Sequence, residues 1–200
     1  NIGGISNITY IDSDNENNIE AFDVCFGNAP LDDLVKEKFG MAFDEDGTLA
    51  KKGTANLILA DRILQNAIFH KKPPKSFDRD EFASLIAPIN SLEKPEDALA
   101  TFAYMHAQAL KINLAFLSKK PKTIFVCGGG RKNKSLMDEM QKYLTGIAVK
   151  PIDEIGFNGD SIEAEAFAFL GIRSVLNLPI SFKKTTGVSH PTDGGVLYKS

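Results

Sequence analysis

Cysteine and histidine are scarce in this chain, which contains two cysteines and three histidines in 200 residues. Cys25 and Cys127 lie far apart and form no CxxC pair, so we expect buried free thiols in a reducing compartment, with a disulfide as the less favoured alternative. His70 and His190 have no cysteine, histidine or carboxylate at metal-ligand spacing. His106 lies on an apolar helical stripe, which favours a hydrogen-bonded core histidine over a ligand. The sequence therefore predicts no protein-bound metal site.

Long apolar runs and an excess of basic charge are also missing. No run approaches the ~18 to 20 apolar residues that a membrane span requires, and no signal peptide is visible, so we expect no membrane association and a cytoplasmic location. The formal net charge is −3 and the pI is about 5.7. The lysines at 119–122 form only a short basic group. No nucleic-acid partner is therefore predicted.

Hydrophobic residues make up 43% of the chain, enough to bury the core of one sizeable domain or two small ones. β-rich segments predict two short strands that turn at Gly3-Gly4 and further strands at 19–23, 123–127 and 146–149. Residues 160–163 resemble a capping box that opens the last helix. Helical spacing predicts helices over 29–39, 48–69, 79–86, 96–118, from the glycines at 128–130 to about 144, and 160–171, with a loop-rich tail from 179 to 200.

Three glycine clusters mark the ends of predicted strands: Gly3-Gly4, Gly27 and 128–130. Glycines let the backbone approach a ligand and expose amide N–H groups, although each cluster alone favours a simple tight turn. Neither a GxxxxGK[ST] loop nor GxGxxG occurs. Asp23 ends a strand, where α/β enzymes often place a general base, and where Asp also commonly caps a helix. Together these features suggest a phosphotransferase cleft, with glycine turns for a nucleotide and a carboxylate for the acceptor.

Five motifs in order along the whole chain resemble those of the anhydro-N-acetylmuramic acid kinase family, and a closing Thr186-Gly187 resembles the family's TGA. The matching segments are NIGGISNIT at 1–9 (family NIGGIANVT), FDVCFGN at 22–28 (FDTGPGN), PPKS at 73–76 with Arg79 (PPKSTGRE), CGGG at 127–130 with Asn133 (CGGGxxN), and DSIEA at 160–164 with Phe167-Ala168 (DxxEAxAFA).

The resemblance implies an α/β fold: one lobe of the actin, sugar-kinase and heat-shock ATPase (ribonuclease H-like) fold, with a central mixed sheet and flanking helices. Residues 1–200 would form a single domain, the C-terminal lobe. It also implies an enzyme that uses ATP, with Mg²⁺ carried on the nucleotide, and water. Such an enzyme opens the 1,6-anhydro ring of a recycled cell-wall sugar and phosphorylates O6.

The resemblance also implies roles for individual residues. Asp23 activates the attacking water. The nucleotide is bound by Gly3, Gly4, Gly128, Gly129, Gly130 and Asn133. Asn28 and Glu163 contact the sugar, although Glu163 fits the return arm of a capping box equally well. Lys75 and Arg79 face substrate or nucleotide, or belong to a solvated loop.

The chain departs from the family pattern in two ways. The other lobe, with its GTSxDG phosphate loop, is missing, and the chain reads as strand from its first residues, which suggests a fragment. At the site, Val24, Cys25 and Phe26 replace Thr-Gly-Pro, and Phe77 and Asp78 replace Thr-Gly. We expect the Cys25 and Phe26 side chains to occupy space near the ligand.

Because half of a two-lobe cleft cannot hold both ends of a triphosphate, we predict that this chain alone is inactive. The partner would be the missing N-terminal lobe, in cis or as a separate chain, and an exposed lobe-facing surface would favour a homodimer. The alternative is a non-catalytic split or decaying relic that binds nucleotide or sugar without turnover.

Overall fold

The computed structural model describes residues 1–198, so the last two residues of the tail lie outside it. Within that range the strands are β1 (Ile5–Tyr10), β2 (Glu20–Phe26), β3 (Thr123–Val126) and β4 (Ala148–Pro151). The α-helices are α1 (Ala29–Phe39), α2 (Leu57–Leu64), α3 (Ala67–His70), α4 (Ala83–Asn90), α5 (Pro95–Leu114), α6 (Lys134–Tyr143) and α7 (Ile162–Val175). Short 3₁₀ helices lie at Glu16–Asn18, Glu45–Gly47, Ala50–Lys52, Arg79–Phe82, Gly129–Lys132 and Ile152–Ile155.

The strands form two small sheets where one central mixed sheet was predicted. β1 and β2 are antiparallel, and β3 and β4 are parallel. The two sheets are joined by a backbone hydrogen bond of 2.9 Å, which Ile2 N donates to Cys127 O. The Gly3-Gly4 turn separates Ile2 from β1. The backbone hydrogen bonding that Ile2 makes to the end of β3 therefore does not continue into β1, and the two sheets remain separate. The α/β class is confirmed, whereas the single sheet is not.

Helix α5 runs through the centre of the core and packs against α2, α6 and β2. It begins with Pro95 in its first turn, where the missing N–H costs nothing. The fully buried ring of Phe26 on β2 meets the rings of Phe82 and Phe102 edge-on, at centroid distances of 5.9 and 5.6 Å. Burying a phenylalanine side chain contributes about 1.5–3 kcal/mol, so this cluster anchors β2 to α5. No helix within residues 1–198 is long and apolar enough to cross a membrane.

The single helix predicted over 48–69 is wrong. Gly53 has extended backbone, and a Cβ there would lie 2.0 Å from Glu96 O, so no helix can continue through this contact with α5. Asn56 and Asn66 then cap α2 and α3, because their side chains accept hydrogen bonds from Leu59 N and Ile68 N. An asparagine side chain competes with the helix backbone for N–H donors. It is therefore favoured at the first residue before a helix and disfavoured within one.

The capping box predicted at 160–163 is also wrong. The residue that precedes α7 is Ser161, and its side chain makes no capping hydrogen bond. A capping box occurs elsewhere, at Asp78 and Glu81, where Asp78 accepts from Asp80 N at 3.0 Å and Glu81 accepts from Asp78 N at 2.7 Å. α7 itself continues past Gly171, the residue at which it was expected to end.

The surface of α7 is largely apolar and exposed. Its one buried residue is Arg173, whose guanidinium binds Glu16 at 2.5 and 2.9 Å and Pro179 O at 2.7 Å. Phe167 is 74% exposed, and further apolar side chains in and just after this helix are also exposed: Phe169, Ile172, Val175 and Leu176. Large exposed apolar surfaces are typical of sites that contact another polypeptide or a membrane.

His106 lies in the core, as predicted, but its ring is not hydrogen-bonded as expected. It is 1% exposed, and neither ring nitrogen has a partner within residues 1–198. Burial lowers its pKa from 6.5 to about 4. The unfolded chain therefore takes up this proton at higher pH than the folded chain does, so stability is full above about pH 6.5 and falls as the pH drops toward 4.

We expect the free energy of unfolding to fall by about 2 kcal/mol between pH 7.5 and pH 5, a window above the range in which most carboxylates titrate. Urea denaturation at both pH values measures it. His106→Leu should lose most of this dependence, whereas His190→Leu, at an exposed position, should keep it. Equal pH dependence in the wild type and His106→Leu would show that another group is responsible.

Candidate active site

The three predicted glycine clusters meet at the beginning of the chain. Gly27 N donates to Gly4 O at 2.9 Å, and Asn28 N donates to Gly3 O at 2.7 Å. A Cβ on Gly27 would lie 2.1 Å from Gly3 O, so only glycine allows the end of β2 to lie against the Gly3-Gly4 turn. Gly4 is exposed and has no heavy atom within 4 Å of a Cβ position, which leaves its backbone open to a ligand.

The third cluster contacts the same segment from the other side. Gly130 N donates to Ile2 O at 3.1 Å. Gly128 has φ +80°, and a Cβ there would lie 2.3 Å from Asn1 Oδ1 and 2.6 Å from Ile2 O. Gly129 is exposed, and nothing lies within 4 Å of its Cβ position. The structure thus brings all three clusters together around Ile2, with Gly4 and Gly129 facing open space.

Glu163 is connected to these turns by Asn1. Asn1 Nδ2 donates to Glu163 Oε1 at 3.0 Å, and Asn1 Oδ1 lies beside Gly128. Since Glu163 makes no capping hydrogen bond, the capping-box interpretation of this residue is wrong. Asn1 was missed as a site residue, although it begins the glycine motif. Its partner lies 162 residues away, and no local pattern reveals such a distant contact.

Arg131 is a second residue that the sequence analysis missed. Its side chain is 6% exposed and binds Asp153 and Asp160, each at 2.8 Å, and its Nη1 also donates to Gly128 O at 3.0 Å. The guanidinium holds the pKa of both carboxyls below their usual range. Arg131 therefore ties the glycine turn to the segment that leads into α7. A single arginine in a polar loop gives no sequence signal for this role.

Asp23 lies on β2 opposite Asn7, and it contacts the Pro-Pro-Lys-Ser segment. Its Oδ2 accepts a hydrogen bond of 2.8 Å from Phe77 N, and its own N–H donates to Lys75 O at 3.2 Å. Within residues 1–198, Oδ1 makes no hydrogen bond. Four residues of strand span about 13 Å, so Asp23 stands well back along β2 from the glycine contact at Gly27.

Asn28 has an unsatisfied acceptor. Its Nδ2 donates to both carboxylate oxygens of Asp32 at 2.8 Å, whereas its Oδ1 is buried without a partner among the described residues. Burial raises the pKa of Asp32, and the Asn28 hydrogen bond opposes that rise. An unpaired buried acceptor costs about 1–3 kcal/mol, so a ligand hydroxyl or N–H group placed here would be stabilising.

Asn133 has a structural role. It is 6% exposed, and its side chain caps α6 by accepting a hydrogen bond of 3.1 Å from Leu136 N. A Cβ on Gly47 would lie only 2.3 Å from Asn133 Oδ1, so this side chain packs closely against the glycine. The capping hydrogen bond alone explains why an asparagine stands at this position. A contact between Asn133 and the nucleotide stays a prediction.

The departures from the family motif on β2 lie in the core, which corrects the expectation that Cys25 and Phe26 occupy ligand space. Val24, Cys25 and Phe26 are at most 1% exposed. Phe77 packs edge-on against Phe82 at 5.4 Å, and Asp78 begins the capping box described above. Cys25 and Cys127 are both buried free thiols, as predicted.

Lys75 and Arg79 behave differently from each other. Lys75 is 7% exposed, and its Nζ donates to Asn113 Oδ1, so the solvated-loop interpretation is wrong for this residue, whereas its contact with substrate or nucleotide stays a prediction. Arg79 is exposed and forms an ion pair with Asp33. Thr186-Gly187, the last motif, reaches this region too, because a Cβ on Gly187 would lie 2.9 Å from Pro74 Cγ.

Comparison with known proteins finds relatives that carry one family name. The anhydro-N-acetylmuramic acid kinase of Zymomonas mobilis is 42% identical over 198 residues, which cover 99% of this chain and 53% of the relative. Those of Roseobacter denitrificans and Methylorubrum populi are 38% and 40% identical, with 98% of this chain and 52% and 51% of the relatives covered. The chain thus spans about half the length of the curated relatives it matches. The family model of anhydro-N-acetylmuramic acid kinase matches residues 1–200, and this chain therefore belongs to that kinase family.

Proposed function

We propose that this chain is the C-terminal lobe of an ATP-dependent anhydro-N-acetylmuramic acid kinase, with the actin, sugar-kinase and heat-shock ATPase fold. The complete enzyme would act in the cytoplasm, where it would open the 1,6-anhydro ring with water and phosphorylate O6 during cell-wall sugar recycling. The observation that carries this proposal is the meeting of three glycine turns around Ile2, with Glu163 attached through Asn1, in a member of this kinase family.

The nucleotide would bind where the glycine backbones are open. Gly4 and Gly129 are exposed and have no side chain to keep a phosphate or a flat ring away. Mg²⁺ would arrive on the nucleotide, since it is usually held by substrate phosphates with one or two carboxylates and several waters. In phosphoryl transfer the protein contributes mainly position and charge, which a rigid backbone cradle supplies.

Asp23 would be the general base. One of its oxygens is held by the Phe77 N–H, and the other makes no hydrogen bond among the described residues, so it can accept a proton from water. The unsatisfied Oδ1 of Asn28 would accept from a sugar hydroxyl or from the acetamido N–H group. Glu163 would provide a further acceptor at the glycine turns. These roles follow the family motifs, residue by residue.

The partner would be the N-terminal lobe, and the exposed apolar side chains of α7 are the surface we assign to it. Covering Phe167 and its neighbours would remove from water an apolar area that α7 now exposes. A homodimer through the same face is the second proposal. The mass of the isolated chain in solution, measured by light scattering, decides between a monomer that awaits its lobe and a dimer.

Reconstitution tests the function. We expect this chain alone to show no ATP-dependent phosphorylation of the anhydro-sugar, because it lacks a partner for the second half of the triphosphate site. Mixed with, or fused to, the N-terminal half of the Zymomonas mobilis relative, it should form the sugar 6-phosphate. Mass spectrometry of the product and ADP release measure the reaction, with the N-terminal half alone as control.

Two results would change this conclusion. Turnover by the isolated chain would show that a second lobe is not required. A stable complex of the two halves that binds ATP without forming sugar phosphate would favour the non-catalytic binding module instead.

A further inference from the structure

The side chain of Arg131 fixes the carbonyl group of Gly128, at the turn to which we assign the nucleotide. Its Nη1 donates to Gly128 O at 3.0 Å, and the backbone N–H of Arg131 donates to the same oxygen at 3.3 Å. The N–H of Gly128 in turn donates to Gly159 O at 3.3 Å. Both polar backbone groups of Gly128 are therefore engaged, and rotation of this residue would break all three hydrogen bonds.

The orientation of the Gly128 carbonyl determines where the next N–H group points. A trans peptide is planar, and its C=O and N–H bonds point in opposite directions. Because Gly128 O faces the Arg131 guanidinium, the N–H of Gly129 faces away from it. Gly129 is exposed, and its N–H makes no hydrogen bond within residues 1–198. The arginine thus directs a backbone donor into the open space beside the turn.

Arg131 is itself held in one position by two carboxylates. Its Nε donates to Asp153 Oδ2 and its Nη1 to Asp160 Oδ1, each at 2.8 Å, and the side chain is almost fully buried. A Cβ on Gly159 would lie 2.2 Å from Nε, so glycine at that position lets the guanidinium lie against the backbone. A planar guanidinium presents several donors in fixed directions, which suits it to holding three separate acceptors at once.

The charges of this cluster cancel, so its effect on the turn is geometric. Lys132 Nζ donates to Asp160 Oδ2 at 2.8 Å, which brings two cations and two carboxylates together. An anionic ligand at the turn would therefore meet a neutral group of side chains. Of the two cations, Arg131 reaches Gly128 O, whereas Lys132 shares the Asp160 carboxylate and makes no hydrogen bond to Gly128 in the part of the chain that the structure describes.

We propose that Arg131 is a positioning residue for the nucleotide: it holds the Gly128–Gly129 peptide so that the Gly129 N–H points at an acceptor atom of the bound nucleotide. Arg131 itself binds the backbone and two carboxylates and acts on the nucleotide through this peptide. The inference rests on the proposed function for the identity of the ligand. The hydrogen bonds to Gly128 are present in the isolated chain and are measurable there.

The first test examines the turn in the isolated chain by NMR. A carbonyl ¹³C signal moves upfield when a hydrogen bond to the oxygen is lost, so the Gly128 signal should move upfield in Arg131→Met. Lys132→Met is the matched control, because it removes the same charge from the same Asp160 carboxylate without removing a donor to Gly128 O. Its Gly128 signal should stay in place. An unmoved Gly128 signal in a folded Arg131→Met variant would overturn the proposal.

The second test measures ADP binding by calorimetry, with this chain mixed with the N-terminal half of the Zymomonas mobilis relative. Arg131→Met should weaken ADP binding about tenfold, the equivalent of one hydrogen bond, whereas Lys132→Met should keep the wild-type affinity. Arg131→Lys keeps the charge, but its one nitrogen cannot replace a guanidinium that holds three acceptors, so it should weaken ADP binding as well. Wild-type affinity in Arg131→Met or in Arg131→Lys would overturn the proposal.

The wild-type halves separate this inference from the proposed function. If they bind ADP but form no sugar phosphate, the proposed catalysis fails, and the ADP affinities of the Arg131 variants still decide the role of Arg131. If they bind no ADP, the proposed nucleotide site is wrong, and the inference fails with it. If Arg131→Met does not fold, Arg131→Lys decides the matter, because it leaves a cation between the two carboxylates.

Discussion

Asp23→Asn is expected to reduce ATP-dependent formation of the sugar phosphate by the reconstituted kinase by about 10²- to 10⁴-fold, the usual contribution of a positioned general base. Asparagine has nearly the same shape, and its amide oxygen can still accept the Phe77 N–H hydrogen bond that Oδ2 now accepts. The fold should therefore survive, whereas the ability to take a proton from water is lost. Initial rates at saturating sugar and ATP measure the effect, and the KM for ATP should stay unchanged.

Asp14→Asn is the matched control, because Asp14 is exposed in the loop after β1. It should retain the wild-type rate. If Asp23→Asn also kept a near-normal rate, Asp23 would be a strand residue whose role is to hold the Lys75–Phe77 segment. The base would then have to be another carboxylate, and Glu163, which Asn1 ties to the glycine turns, would be the next to test.

Gly128→Ala is expected to destabilise the isolated chain by about 2–4 kcal/mol. Its φ of +80° disfavours any side chain, and the new Cβ would stand 2.6 Å from the carbonyl oxygen of Ile2. Asn1 can rotate its side chain away, but the Ile2 backbone cannot move without breaking the 2.9 Å hydrogen bond to Cys127 that joins the two sheets. Urea denaturation at pH 7.5 measures the loss.

The adjacent Gly129→Ala provides the control. Nothing lies within 4 Å of its Cβ position, so the free energy of unfolding should change by less than about 1 kcal/mol. If Gly129 faces the nucleotide, the same variant should weaken ATP binding by the reconstituted kinase while the fold is intact. Equal stability of the Gly128→Ala and Gly129→Ala variants would show that the contact with Ile2 is not tight.

The sequence alone was sufficient for the elements whose signals are local. The apolar spacing of α5, the β-rich run of β2 and the glycines at strand ends depend on residues a few positions apart, and all were predicted correctly in kind. The order of five motifs also led to the family, because each motif combines several residue types whose joint occurrence is specific. The conclusions drawn from length and composition also required no tertiary information.

What the tertiary structure decided depends on contacts between distant segments. The break at Gly53 follows from Glu96 on α5, and the partner of Glu163 is Asn1 at the other end of the chain. Cys25 and Phe26 lie in the core, whereas motif comparison had placed them in the site. Lys75, which follows two prolines and was open to a solvated-loop interpretation, is buried because Asn113 and three rings enclose it. A polar side chain forms hydrogen bonds with the groups that the folded structure places beside it. Residue spacing along the chain does not show which groups these are.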